Sequence, residues 1–303
     1  MNRLSFLRDI GLIGRFELYR AIRTWRALAQ VLVYVVVVAG STRIFINALR
    51  AMENMVAEQM GVPAVKYPGT LTEQVMQSDS FHSMMSGMFG DQALIDALIG
   101  WHPIAWFFFW LGIGLFPFLA ASSASEAIAT DVQTRTIRFQ ALRTGRLEIV
   151  LGRWLGQLVL SALAVSAGAF AAMAVCLISM VEQDVYALAT GLGWFGLRVW
   201  LFGIPFVGLG LACSQVTTSP AWARVMAIVG VAGSWLVFGL TSNRQLEGPW
   251  AIAADLVRPL LPQGWLRLMW ESGAVWMGAG AVCVGLGLVA TAIGYVGFAR
   301  RDL

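Results

Sequence analysis

Side chains that do chemistry in enzymes are scarce in this sequence. Of 303 residues, only His82 and His102 are histidines, and Lys66 is the only lysine. No G-x-x-x-x-G-K-[ST] occurs, so no phosphate-cradling loop with its lysine is available. Two histidines do not make a multi-histidine metal site. A Ser-His-Asp relay would have to use one of them, and no G-x-S-x-G supports it. Cys176, Cys213 and Cys283 lie in or beside apolar segments, so no loop carries a disulfide framework. One soft-metal pattern is present. Seven of the 13 methionines fall within Met52–Met88, and His82, Met84, Met85 and Met88 stand close together. Thioether and imidazole ligands suit Cu(I). Methionine also packs amphipathic helices well, and packing is the expected role. No catalytic residue is expected.

Composition says where such a chain must live. By the AVILMFWYC count 58% of residues are apolar and 13% are charged, about half the charge of a soluble domain. A soluble fold of this make-up would leave large apolar surfaces in water, so a polytopic membrane protein is expected. The net charge is +4, but the arginines border apolar runs instead of forming a stripe. Anionic lipid headgroups fit that pattern better than nucleic acid does. The opening residues Met1 to Asp9 contain no apolar core and no small-residue cleavage site, so no cleavable signal peptide is expected.

Periodicity then divides the chain. Over residues 4–26 Phe6, Leu7, Ile10, Leu18, Ile22 and Trp25 fall on one arc of a helix and Arg8, Arg15, Arg20 and Arg23 on the other. Glu17, Leu12 and Phe16 break the pattern. An arginine-rich helix of this kind, here residues 1–26, is expected in the membrane interface. The remainder, 27–303, reads as one transmembrane domain. Its six apolar runs, 27–49, 103–125, 149–181, 186–213, 222–241 and 274–298, are long enough to cross a bilayer as helices. The two longest are expected to tilt or to project into water. With the N-terminus inside, 14 of the Arg and Lys residues fall on the cytosolic side and 6 outside. The positive-inside rule therefore places both termini in the cytosol. Two outer segments result. Residues 50–102 are polar and acidic, with a turn at Tyr67-Pro-Gly-Thr70 flanked by helix-like stretches on both sides. Residues 242–273 carry Trp250, Trp265 and Trp270 beside Pro249, Pro259 and Pro262, which suggests short helices at the outer interface. Arg198 lies inside the fourth run. A charge there is costly, so a buried carbonyl or acid, a transported anion or the interface must satisfy it.

The loop 126–148 between the second and third runs is the most informative stretch. Its arginines Arg135, Arg138 and Arg143 meet either lipid phosphates or an acidic surface of a soluble partner, and residues 133–144 are expected to form one short helix stopped by Gly145. The stretch from Glu126 to Arg153 resembles the corresponding loop of ABC-2 type transporter permeases. Glu126 matches the acid that ends their second span, and Thr136-Ile137 their Thr-hydrophobic pair. Arg146 matches their turn arginine, and Gly152-Arg153 the Gly-Lys that opens their third span. Arg135 stands where the family has Gly, and the usual Pro near Arg143-Thr144 is missing. The ending Phe298-Ala-Arg-Arg-Asp-Leu303 is also similar. In order, these features cover essentially the whole chain.

The resemblance implies an all-α permease with an N-terminal interfacial helix and six spans, both termini cytosolic, in the cell (inner) membrane of a bacterium. It implies a homodimer working with two copies of a separate cytosolic ABC ATPase, which binds ATP and magnesium; this chain holds no cofactor. Export of a lipid-like, drug-like or peptide substrate follows from the same resemblance. Arg135, Thr136, Ile137, Arg138, Leu142, Arg143 and Arg146 are the implied coupling residues. Arg198 and Glu126 are candidates for the transport path or for buried polar contacts. The competing class is a membrane scaffold or channel whose outer loop, residues 50–102, binds a partner protein or a metal. Topology is tested by placing single cysteines at Ser80 and Thr144. In intact cells a membrane-impermeant thiol reagent should label the first and not the second.

Overall fold

A computed structural model describes residues 3–63, 68–78, 81–83, 85–86, 95, 98, 100–181, 184–242, 248–271 and 273–300. Every regular element among them is helical. In chain order they are α1 (Arg3–Arg23), α2 (Trp25–Gln59), α3 (Thr72–Gln77), α4 (Pro103–Ala124), α5 (Ala129–Gln133) and α6 (Thr136–Ala141). Then follow α7 (Arg146–Ser179), α8 (Val185–Val216), α9 (Pro220–Thr241), α10 (Pro249–Val257), α11 (Leu266–Trp270) and α12 (Val275–Ala299). Six of these, α2, α4, α7, α8, α9 and α12, are long and apolar enough to cross a membrane.

The fourth of the six is the hub. Helix α8 packs against α4, α12, α7 and α9. It approaches α12 closely because Gly208 and Gly287 face each other; a side chain on Gly208 would strike the Gly287 backbone. Helices α4 and α8 are largely buried, whereas α2 and α9 expose most of their apolar surface. Exposed Leu32, Val33 and Val36 on α2, and Val229, Leu236 and Leu240 on α9, are the surfaces a bilayer or another membrane chain covers.

Helix α1 and the end of α12 lie at one end of the bundle. Helix α1 runs along the start of α7, where Gly152 admits Ile10 and Ile13. The end of α12 meets Arg146, whose Nη1 donates to the carbonyls of Phe298 (3.3 Å) and Ala299 (2.5 Å). An extended Thr24 (φ −89°, ψ 118°) turns the chain from α1 into α2. The buried side of α1 is Gly14, Glu17 and Ala21, while Leu7, Leu12, Phe16 and Tyr19 face outward. The arc predicted from periodicity is therefore divided between a protein contact and an open surface.

At the opposite end one helix outruns its expected limit. Helix α2 continues past Leu49 to Gln59, and its extension is held by Glu53. That fully buried carboxylate accepts from the backbone N–H of Gly69 (3.0 and 3.1 Å) and from the Thr72 hydroxyl (2.8 Å). The Pro68-Gly-Thr turn is thereby fixed against α2. Helices α10 and α11 and two 3₁₀ turns occupy the tryptophan-rich segment.

Two helix starts at this end have side-chain caps. The Asp184 carboxylate accepts from the N–H groups of Tyr186 and Ala187, and His102 Nδ1 accepts from Ile104 N–H at 3.3 Å, just before Pro103. Burial pushes the His102 imidazole down to about 4, against an opposing pull from Asp184. An unfolded histidine binds a proton near pH 6.5. Between those values only the unfolded chain is protonated here, so stability must fall as pH drops from 6.5 towards 4. Thermal melts across that window should show the loss, and His102→Asn, which keeps an acceptor at the cap, should flatten it.

Candidate functional site

At the end of the bundle where α1 and the end of α12 lie, one guanidinium gathers four elements. Arg153 of α7 is 1% exposed. Its Nη1 donates to Glu17 Oε2 of α1 at 2.9 Å and to the carbonyl of Ala127. Its Nη2 donates to the Asp131 carboxylate of α5 and to Gln140 Oε1 of α6 at 3.1 Å. The acids are shared further. Arg20 of α1 reaches Asp131 Oδ1 at 2.8 Å, and Gln157 Nε2 donates to Glu17 Oε1 at 3.2 Å while its own Oε1 accepts from Ser123 of α4. Two arginines thus face two carboxylates, and the buried group is neutral as a whole. Arginine suits this place because its planar fork serves several acceptors and does not deprotonate.

A second buried residue completes the bracing. Ser214, near the end of α8, accepts from the N–H groups of Ile128 and Ala129, both at 2.8 Å. These open α5, so the cap for that helix comes from another span. Beside the network lies a polar cleft of about 360 Å³ lined by Arg20, Thr24, Gln30, Ser123, Glu126 and Thr130 among others.

The loop differs from the single helix predicted over 133–144. It breaks at Arg135, which adopts the left-handed conformation (φ 60°, ψ 9°). That is the position where the resembled family carries Gly, and glycine takes such angles without cost. Beyond the break, Ile137 is buried and anchors α6, whereas Arg138, Phe139, Leu142 and Arg143 are exposed. Phe139 is 73% and Leu142 83% exposed. The structure therefore places Arg135, Thr136, Arg138, Leu142 and Arg143 on one open surface, turns Ile137 inward and draws Arg146 onto the end of α12.

The remaining candidates lie apart. Glu126 pairs with Arg224 at the start of α9 and is partly exposed. Arg198, 2% exposed, donates to the carbonyls of Met269 (2.8 Å), Trp270 (3.3 Å) and Glu271 (3.0 Å). The rings of Trp194, Phe195 and Trp276 surround it with centroids 5.1–5.3 Å away. Met85 is buried in the apolar core. Met84 and Met88 lie outside the described residues, and among the described ones no cluster of His, Cys, Asp and Glu forms a metal site.

Sequence reasoning missed Glu17, Asp131 and Gln140 as partners of Arg153, and Phe139 as an exposed side chain. The signal for Glu17 was present, since it stands as an acid on the apolar side of α1. Asp131 and Gln140 carried no signal, because nothing in their spacing points at α7.

Six helices long and apolar enough to cross a membrane, with a braced loop at one end of the bundle, define a multi-pass membrane protein. The chain matches the profile of the ABC-2 family transporter proteins over residues 12–303. It belongs to that family and is a permease of an ABC transporter. Among curated proteins none matches it.

Two outcomes follow from the site. Arg153→Met leaves two buried carboxylates without their shared cation and should cost about 3–5 kcal/mol. Adding Glu17→Gln and Asp131→Asn should recover much of that loss in detergent melts. Arg135→Gly should raise stability by about 1 kcal/mol, because it releases a left-handed non-glycine residue.

Proposed function

We propose that this chain is the membrane half of an ATP-driven exporter and that its 126–148 loop lies in the cytosol and docks on a separate ABC ATPase subunit. The observation that carries the reading is the open face of α6. Two large apolar side chains, Phe139 and Leu142, stand exposed between Arg138 and Arg143, on a loop braced by α1, α7 and α8. A loop that only touched lipid phosphates would need the arginines but no rigid support. A surface that receives a push needs both an adhesive face and a stiff mount. The apolar pair supplies buried area and the arginines supply complementarity to an acidic rim.

The chain lacks the phosphate-cradling loop and its lysine. Nucleotide and magnesium therefore belong to the partner, and this subunit senses them through contact alone. Closure of two ATPase copies would drive the loops, and the spans would expose a substrate path alternately to the two sides. The nearly bare apolar faces of α2 and α9 suit packing of a second copy of this chain, which supports a homodimer. The orientation is that of the 14:6 charge split, with α1 in the inner interface of a bacterial cell membrane. The substrate class favoured is lipid-like, drug-like or peptidic, since the exposed faces of α2 and α9 that would border a path between two copies are apolar.

The test is capture of the ATPase encoded with this chain. Wild type should retain it. Arg138→Glu/Arg143→Glu should lose at least about tenfold in affinity, because like charges brought together across an interface cost several kcal/mol. Phe139→Ser should lose a similar amount with the charge unchanged. Undiminished capture by both variants would place the docking surface elsewhere.

A further inference from the structure

Helix α8 is tied at two distant points to two different segments. Near its end Ser214 caps α5 through Ile128 and Ala129. Sixteen residues earlier, about 24 Å along the helix at 1.5 Å per residue, Arg198 grips the carbonyls at the end of α11. Both residues are buried. Helix α8 holds both segments through buried side chains; α9 also reaches both, at α5 and through Ser234 to Gln263, but by looser contact.

We propose that Ser214 and Arg198 are positioning residues through which α8 makes the α5–α6 loop and the segment 249–271 move together. Arg198 is the stronger grip, with three carbonyls accepting from one guanidinium whose position is fixed by three rings. Each peptide carbonyl of α11 that it holds would otherwise be an unpaired helix end within the bundle. Pro205 lies between the two anchors, and a proline can let a helix bend. Here every residue from Phe202 to Gly208 is buried. The Phe116 ring seats against Gly203, and Gly208 abuts Gly287. A bend at Pro205 would have to displace α4 and α12, so α8 passes displacement along its axis instead of absorbing it.

This extends the coupling reading, on which it rests only for what sets the loop in motion. The consequence is that the segment at the far end follows the loop without a contact of its own with it. Coupling of this kind is reciprocal, so loosening either anchor must loosen the other end.

Hydrogen exchange of the full chain in lipid nanodiscs tests it without any ATPase, so its outcome is separate from the docking experiment. Ser214→Ala should speed exchange at 127–133 about tenfold, the factor for one ordinary hydrogen bond. It should also speed exchange at 266–271 about fivefold, the low end of typical site-to-site coupling. Arg198→Met should produce the converse pair of changes. Amides of Ala164–Ala172 in α7, which belong to neither path, report general loosening. Changes confined to the mutated end overturn the proposal, and so does a rise in α7 as large as that at the far end.

Discussion

An arginine removed from water keeps its charge, and everything near it must be arranged to meet that charge. Arg153 imposes this constraint on four elements. Its cation is balanced only when Glu17 arrives with α1, Asp131 with α5 and Gln140 with α6. Neither α5 nor α6 holds its place alone: they are five and six residues long, far below what an isolated helix needs. Their position is therefore set by the buried charges and by the cap from Ser214. Such a group contributes less net stability than well-packed apolar residues would, but it admits one arrangement and penalises others.

The same logic operates at the far end with different chemistry. Arg198 finds no carboxylate and spreads its charge over three carbonyls and three aromatic faces. Glu53 reverses the sign, an anion enclosed by backbone N–H groups and a hydroxyl. In each case one buried charge fixes a short segment against a long helix of the bundle. Apolar packing holds the six long helices together, and buried polar groups decide where the short ones go.

What was legible in the sequence divides along that line. The long helices were visible because their signal is composition over twenty or more residues. The loop was located because arginines in so apolar a chain stand out, and its resemblance to the family carried Arg153 as a motif position. Its shape was misread because helix propensity favoured one helix across 133–144, and a left-handed Arg135 overrides propensity through tertiary contacts on both sides of it. The stretch before the 67–70 turn was read as helix-like but not as part of α2, because residues 50–59 are too polar to read as a span and are held by Glu53, gripped by a turn sixteen residues later. Pairings of that reach leave no periodic trace in a single sequence.

The grip on Arg198 also has a history in the life of each molecule. The acceptors at Met269 to Glu271 lie 71 to 73 residues downstream. At synthesis rates of about 5–20 residues per second, the arginine is made several seconds before them. Helix α8 carries a partial shelter of its own in Trp194 and Phe195, which lie on the same helix and stack on the guanidinium. Trp276 and the carbonyls come only with the last fifth of the chain. A truncated or stalled chain therefore holds a charge in the membrane with most of its cage missing, and that partly built state is what membrane quality control would find to recognise.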